Sequence, residues 1–193
     1  QLKYHTQLDE KANQYINFAN EGAKKMKQIL MDLLEYSKIG AASRTSETID
    51  MFDFFEEYKF LRKEIMHENK VLINYVGPAK INSYRTPLVQ IIYNLLDNAI
   101  KYAKPNVPPQ IQVSIEERSG RYYFEVRDNG VGIASEYFNK IFVIFQRLEH
   151  EKKHEGTGIG LAVVKKVIES LGGKIGLTSE VGAGTTFYFS LAI

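Results

Sequence analysis

There is no cysteine among the 193 residues of this chain. That excludes a disulfide scaffold and any thiolate-held metal, and it suits a reducing compartment. An excess of one charge is missing too: 25 Lys and Arg stand against 23 Asp and Glu, a net of +2. A nucleic-acid surface needs a clustered basic face, so no nucleic-acid partner is expected. No apolar run approaches the ~20 residues of a membrane span, and no signal peptide opens the chain. The stretch is expected to be cytoplasmic and to make no membrane contact of its own, with anchoring of the intact protein left open. An initial methionine is also lacking; the chain opens on Gln1 and reads as a piece of something longer. Internal repeats and low-complexity tracts are absent. What remains is 44% apolar, enough for a proper core.

Two regions with different periods follow. Leu8, Ala12, Tyr15, Ala19, Gly22, Met26, Ile29, Leu33 and Tyr36 alternate steps of four and three, a heptad seam sustained for about four heptads. Ile16, Ala23 and Leu30 widen it on one side, which suits a helix bundle better than a two-stranded coil. One such helix cannot bury itself, so a partner helix is expected. The helix should stop near Gly40, where "GAASRTSE" reads as a linker. Residues 1–42 and 43–193 are therefore read as separate units.

Beyond Thr48, "TIDMFDFF" and "KVLINYVG" read as strands, with "FFEEYKFLRKEIMHEN" as a helix between them. "TPLVQIIYNLLDNAIKYA" is a strong helix, with Thr86 as the expected N-cap and Pro87 at the first helical position. "QIQVSIEE" and "RYYFEVRD" alternate apolar and polar residues and are joined by a hairpin connection, "RSGR". An unpatterned stretch from Asn129 to about Thr157 is read as a lid. A helix over "GIGLAVVKKVIESLGG" and a last hairpin around "VGAG" close the chain. The order predicts an α+β fold with helices on one face of a mixed sheet.

Four short stretches carry chemistry. In "NLLDNAIKYA" (94–103), Asn94, Asn98 and Lys101 fall on one helical face, with Tyr102 beside them. One such asparagine fits a solvated face. Two with a lysine, in an otherwise apolar helix, point to phosphates and a hard cation, since an amide oxygen can fill one position around Mg²⁺. In "DNGVGI" (128–133), an ionised Asp128 only accepts hydrogen bonds, so it can take one from the exocyclic amine of adenine. Gly130 and Gly132 would let the backbone approach a flat ring, though this stretch alone fits a simple turn equally well. "GTGIGL" (156–161) is not the dinucleotide fingerprint, because its third glycine comes one residue early and no strand precedes it. No Walker A pattern occurs. Three glycines opening a helix still make a phosphate site. "GAGTTF" (182–187) alone is a hairpin turn.

Taken in order and spacing, the four resemble the ATP-binding boxes of the GHKL superfamily: N box, G1, G2 and a last glycine box. "IFVIFQRL" between them resembles the F box of sensor histidine kinases. The resemblance covers residues from about 48 to 193. It implies a two-layer α/β sandwich of the GHKL or Bergerat type, preceded by a long bundle helix, with ATP between the helix layer and a mobile lid. It implies that Asn98 coordinates Mg²⁺ with Asn94 beside it, and that Lys101 and Tyr102 face the phosphates and ribose. Asp128 would bind the adenine amine and Ile133 pack on the ring. Gly156, Thr157, Gly158, Gly160 and Leu161 would wrap the phosphates. Arg147 would reach the terminal phosphate and Thr185 would support the adenine.

"MDLLEYSKIG" resembles the second helix of a histidine-kinase dimerisation and phosphotransfer hairpin. The first helix of that hairpin carries a phosphoacceptor histidine followed by an acidic residue. His5 is followed by threonine, His67 falls in an expected surface helix, and His150 and His154 lie in the polar stretch read as a lid, so none of the four is read as that acceptor. The expectation is therefore a protein-histidine kinase catalytic part that binds ATP but does not phosphorylate itself. It implies a homodimer in the full-length protein and a response regulator or receiver domain as phosphoryl acceptor. The alternatives are a GHKL ATPase that hydrolyses ATP to drive conformational change, or a nucleotide-binding pseudokinase scaffold. ATPases of the superfamily resemble one another in an acidic general base one turn before the Mg²⁺ asparagine. Here that position is Asn94, which cannot take a proton, so Asn94 and Arg147 are expected to serve transfer instead.

Overall fold

A computed structural model describes residues 9–40, 45–146 and 157–192. Helix α1 (Glu10–Lys38) begins where the Asp9 carboxylate accepts a hydrogen bond from the Ala12 amide at 2.7 Å, and it ends just before Gly40, as expected. Most of its seam is uncovered: Tyr15 is 70% exposed and Met26 62%. Its C-terminal end docks, with Tyr36 and Ile39 packed against the core of the fold that follows. The expected division at residue 42 falls outside the described residues.

The predicted strand over "TIDMFDFF" is two elements. Strand β1 (Glu47–Asp50) gives way at once to helix α2 (Met51–Leu61). Asp50 forces the change: its carboxylate accepts from the Phe52 and Asp53 amides at 3.0 and 3.3 Å, an N-cap that strand backbone cannot make. Met51, Phe54, Phe55 and Tyr58, spaced for one helix face, are the buried residues. The helix expected to run on to Asn69 breaks at Arg62 and resumes as α3 (Lys63–Glu68). At the break, Arg62 grips Asp97 with two hydrogen bonds of 3.0 and 2.8 Å, and the buried Tyr58 hydroxyl donates to the same carboxylate at 2.9 Å.

Strand β2 (Leu72–Val76) is followed by an unpredicted strand, β3 (Lys80–Ser83), which pairs antiparallel with β1. Helix α4 (Arg85–Lys101) starts two residues earlier than expected. Its N-cap is Tyr84, and Pro87 is third in the helix, not first. The first helical bond, Leu88 N–H to the Tyr84 carbonyl, begins after the proline, so the missing N–H costs nothing. The rest runs β4 (Gln110–Arg118), β5 (Arg121–Asp128), two 3₁₀ turns (Ser135–Tyr137 and Lys140–Phe142), α5 (Gly160–Ser170), β6 (Lys174–Glu180) and β7 (Gly184–Ala192).

The main sheet has the order β2-β4-β5-β7-β6, with β2 parallel to β4 and every other pair antiparallel. Alternation sends Val113, Phe124, Val126, Phe187, Phe189 and Leu191 to one face, where they are buried. Phe124 and Phe189, paired across β5 and β7, stack with ring centroids 4.5 Å apart. Above them lie Ile92, Leu95 and Leu96 of α4 and Val163, Val164, Val167 and Ile168 of α5. This is the expected two-layer α+β sandwich preceded by a long helix. Covering the sheet fixes which stripe of α4 points down, and so which stripe is left to line a site.

Candidate functional site

With Leu95 and Leu96 turned to the sheet, Asn94, Asn98, Lys101 and Tyr102 of α4 line a cavity of about 250 Å³. Asp128 from the end of β5 and Thr185 from β7 line it, as do Gly132 and Ile133. So do Thr157, Gly158, Gly160 and Leu161 at the start of α5. Side chains from positions 94 to 185 thus converge on one space. Gly130, expected beside them, does not line it. Arg147 and Gly156 lie outside the described residues, as do His5, His150 and His154. His67 is exposed on α3, away from the cavity.

The amide of Asn94 is oriented: its Nδ2 donates to the Gln90 carbonyl at 2.7 Å. A Cβ on Gly160 would stand 2.8 Å from Asn94 Oδ1, so a side chain here would push the Asn94 amide out of its place. Helix α5 has no side-chain N-cap, which leaves its first amides to another acceptor.

At the other end, Asp128 Oδ1 accepts from the Gly130 amide at 2.8 Å and the Thr185 amide at 3.1 Å. Among the described residues no hydrogen bond engages Oδ2. Burial pushes the Asp128 carboxyl above its usual range, outweighing these two hydrogen bonds and the pull of Lys104. Ser179 braces the same corner. It accepts the Ile133 amide at 2.8 Å, contacts the Gly184 carbonyl at 2.8 Å and pairs with the Thr185 hydroxyl at 2.8 Å. All three are satisfied when Ser179 donates to Gly184 and Thr185 donates to Ser179, which leaves Thr185 Oγ1 an acceptor.

The two glycines of "DNGVGI" have local reasons to be glycine. A Cβ on Gly130 would lie 2.6 Å from the Tyr102 carbonyl oxygen. Gly132 has φ +73°, and its Cβ would fall 2.0 Å from the Glu180 carbonyl oxygen. Both close the backbone onto neighbouring elements. Part of the stretch expected to be a lid, residues 129–157, is tied to neighbouring elements. Val131 is tied to Tyr102 and to Gly182, Ile133 to Ser179, and Ile141 is buried. Phe142 packs edge-on to Phe187, whereas Phe145 is 54% exposed and touches the site through its backbone, its amide donating to the Gly158 carbonyl at 3.0 Å.

Two residues here have no signal in the sequence. Ser179 is one inward position of an alternating strand. Asp32 of α1 also lines the cavity, accepting from the Thr157 hydroxyl at 2.5 Å across 125 positions of chain.

Residues 83–193 match the family described as histidine kinase-, DNA gyrase B-, and HSP90-like ATPase. The whole chain is 35% identical to cyanobacterial phytochrome A of Nostoc sp., of which it covers 25%. Over 188 residues, 94% of this chain and 31% of the relative, it is 30% identical to the sensor protein kinase WalK of Staphylococcus saprophyticus. The chain thus spans about a quarter of the length of the phytochrome relatives it matches. Among solved structures, full-length ShkA in complex with AMPPNP superposes with a TM-score of 0.74 at 24% identity, over 95% of this chain and 39% of that one. ThkA in complex with the response regulator protein TrrA gives 0.71 at 22%, over 99% and 55%.

Proposed function

The chain belongs to the histidine kinase-, DNA gyrase B- and HSP90-like ATPase family, and from that premise we propose that it is the ATP-binding catalytic part of a two-component sensor histidine kinase. It hands the γ-phosphoryl group of ATP to a histidine on a helix outside this chain. The observation that carries this reading is the meeting, in one cavity, of an amide-lined helix face, a glycine turn at a helix start and a carboxylate with one unengaged oxygen. Adenine donates its amine to Asp128 Oδ2, with Thr185 Oγ1 as a second acceptor through water and Ile133 against the ring. The phosphates extend toward Lys101, Tyr102, Thr157 and the α5 amides. Leu161 backs that turn; the family resemblance adds Gly156 at the phosphates and Arg147 at the terminal phosphate, both outside the described residues.

The donor set fits magnesium of the kind held mainly by phosphates. Among the described residues no cluster of three His, Cys, Asp or Glu could hold a cation alone. Asn98 would hold Mg²⁺ through its amide oxygen, with Asn94, whose Nδ2 is tethered to the Gln90 carbonyl, one turn before it. When bound, Mg²⁺ neutralises charge on the phosphates. The chain's own residues orient the nucleotide and keep water out, which is most of what phosphoryl transfer requires of a protein. The bond from the γ-phosphorus to the bridging oxygen breaks, ADP leaves, and a phosphorus–nitrogen bond forms on the incoming imidazole. Hydrolysis to drive conformational change is disfavoured, because neutral Asn94 stands where a general base would be needed.

The remainder of the reading concerns the intact protein. Residues 1–42 are half of a dimerising hairpin and 43–193 the catalytic unit. The full-length protein is a homodimer, and a response regulator or receiver domain takes the phosphoryl group. The catalytic part works in the cytoplasm. Among the described residues no helix is long and apolar enough to cross a membrane. Mixing this chain with Mg²⁺-ATP and a separately made helical hairpin bearing the phosphoacceptor histidine tests the proposal. Acid-labile, base-stable phosphate on the hairpin is expected. Steady phosphate release with no labelled hairpin would establish the hydrolytic alternative instead.

A further inference from the structure

The carboxylate of Asp32 reaches the glycine turn at the start of α5. It belongs to α1, outside the ATP-binding fold, yet it lines the cavity beside Asn94 and Gly160 and accepts the Thr157 hydroxyl at 2.5 Å. Gln28, one turn earlier, donates to its other oxygen at 2.7 Å and holds the rotamer. Two further contacts anchor this end of α1 on α5. Lys166 donates to the Tyr36 carbonyl at 2.8 Å, and its ammonium lies 3.9 Å from the centre of the Tyr36 ring. Asp32 is one of the residues that line the cavity of about 250 Å³.

We propose that Asp32 and its helix form an autoinhibitory latch on the glycine turn, which Mg²⁺-ATP must displace to bind. The inference rests on the nucleotide reading above. It follows from sign and place: Asp32 satisfies Thr157 as a phosphate oxygen would, and two anions cannot share that end of a partly desolvated cavity. Linkage makes the effect reciprocal. Undocking α1 raises nucleotide affinity, and bound nucleotide frees the α1 end, with its Tyr36, from α5. The signal reaching the catalytic fold is then a change in how α1 sits, read out directly at the phosphates.

Calorimetric titration with Mg²⁺-AMPPNP tests this on four chains: wild type, Asp32→Ala, Asp32→Asn and Lys166→Ala. A latch closed nine-tenths of the time raises the apparent Kd about tenfold, so Asp32→Ala should tighten binding by about that factor. Lys166→Ala, which touches no phosphate-side group, should move it the same way. Asp32→Asn should fall between, since it removes the charge but keeps an acceptor for Thr157. Unchanged affinity in Asp32→Ala overturns the latch. Weakened affinity overturns it too and makes Asp32 a cation-side ligand. Binding by none of the chains overturns the nucleotide reading itself, and the latch with it.

Discussion

Asp128 carries two consequences that separate it from an ordinary turn aspartate. Burial raises its pKa, so the folded chain keeps the proton to a higher pH than the unfolded chain does. Its contribution to stability is full below the unfolded pKa and is lost as pH rises through the folded one. Nucleotide binding has the opposite sign, because the adenine amine needs the ionised acceptor. Affinity should fall as pH drops through the raised pKa, at a higher pH than a surface carboxylate would give. Asp128→Asn should flatten that part of the profile and narrow the preference for ATP over GTP, since an amide presents either a donor or an acceptor. Titrating both nucleotides against both chains across pH checks it; parallel profiles would remove Asp128 from base recognition. The motif around Asp128 was legible because its partners lie within the four boxes. Ser179 and Asp32 were not, since each acts through a contact made only by the fold: to Ile133 over 46 positions and to Thr157 over 125. The glycines were legible as special, but the neighbours that also require them, Tyr102 and Glu180, were not. Gly132 is shaped by Glu180, which no local pattern reveals.

At the scale of elements, the sheet and its two covering helices were readable because alternation and helical spacing run long enough to be distinct. The errors cluster where elements are short. Four residues of β1 and four of β3 show too little alternation, and one capping side chain, Asp50, turns an apolar run from strand to helix. The break at Arg62 is likewise tertiary, since the residue that holds it, Asp97, is on α4. That clamp gives a prediction about the helix layer. Tyr58 is fully buried, its hydroxyl donates to Asp97, and burial followed by the nearby Asp97 charge pushes its pKa above the usual tyrosine range. Asp97→Ala strands that hydroxyl and should cost about 1–3 kcal/mol. Arg62, half exposed, adds little. Asp97→Asn keeps an acceptor and should recover most of the loss. Urea unfolding of the three chains decides it: equal losses in Ala and Asn would place the energy in the ion pair, not in the buried hydroxyl.

Helix α1 has an uncovered seam and a docked end. The first two-thirds of α1 presents uncovered apolar residues, Tyr15, Phe18, Met26 and Leu30 among them, that a second helix would bury. Its last turns lie on α5, and Tyr36, the end of the heptad seam, is engaged there with Lys166. A partner that zips along the seam to its end must therefore take Tyr36 from the catalytic fold. Bundle formation and docking are then mutually exclusive over that final turn, and covering the seam opens the cavity that Asp32 closes. The chain at tens of micromolar should sediment above its monomer mass, and Met26→Glu with Leu30→Glu should return it to monomer with its fold intact by circular dichroism, because both side chains face solvent. Mg²⁺-AMPPNP affinity should then rise with concentration in the wild type and stay level in the double variant. A concentration-independent affinity in a wild type that does associate would mean that pairing stops short of Tyr36, and that the seam and the site work independently.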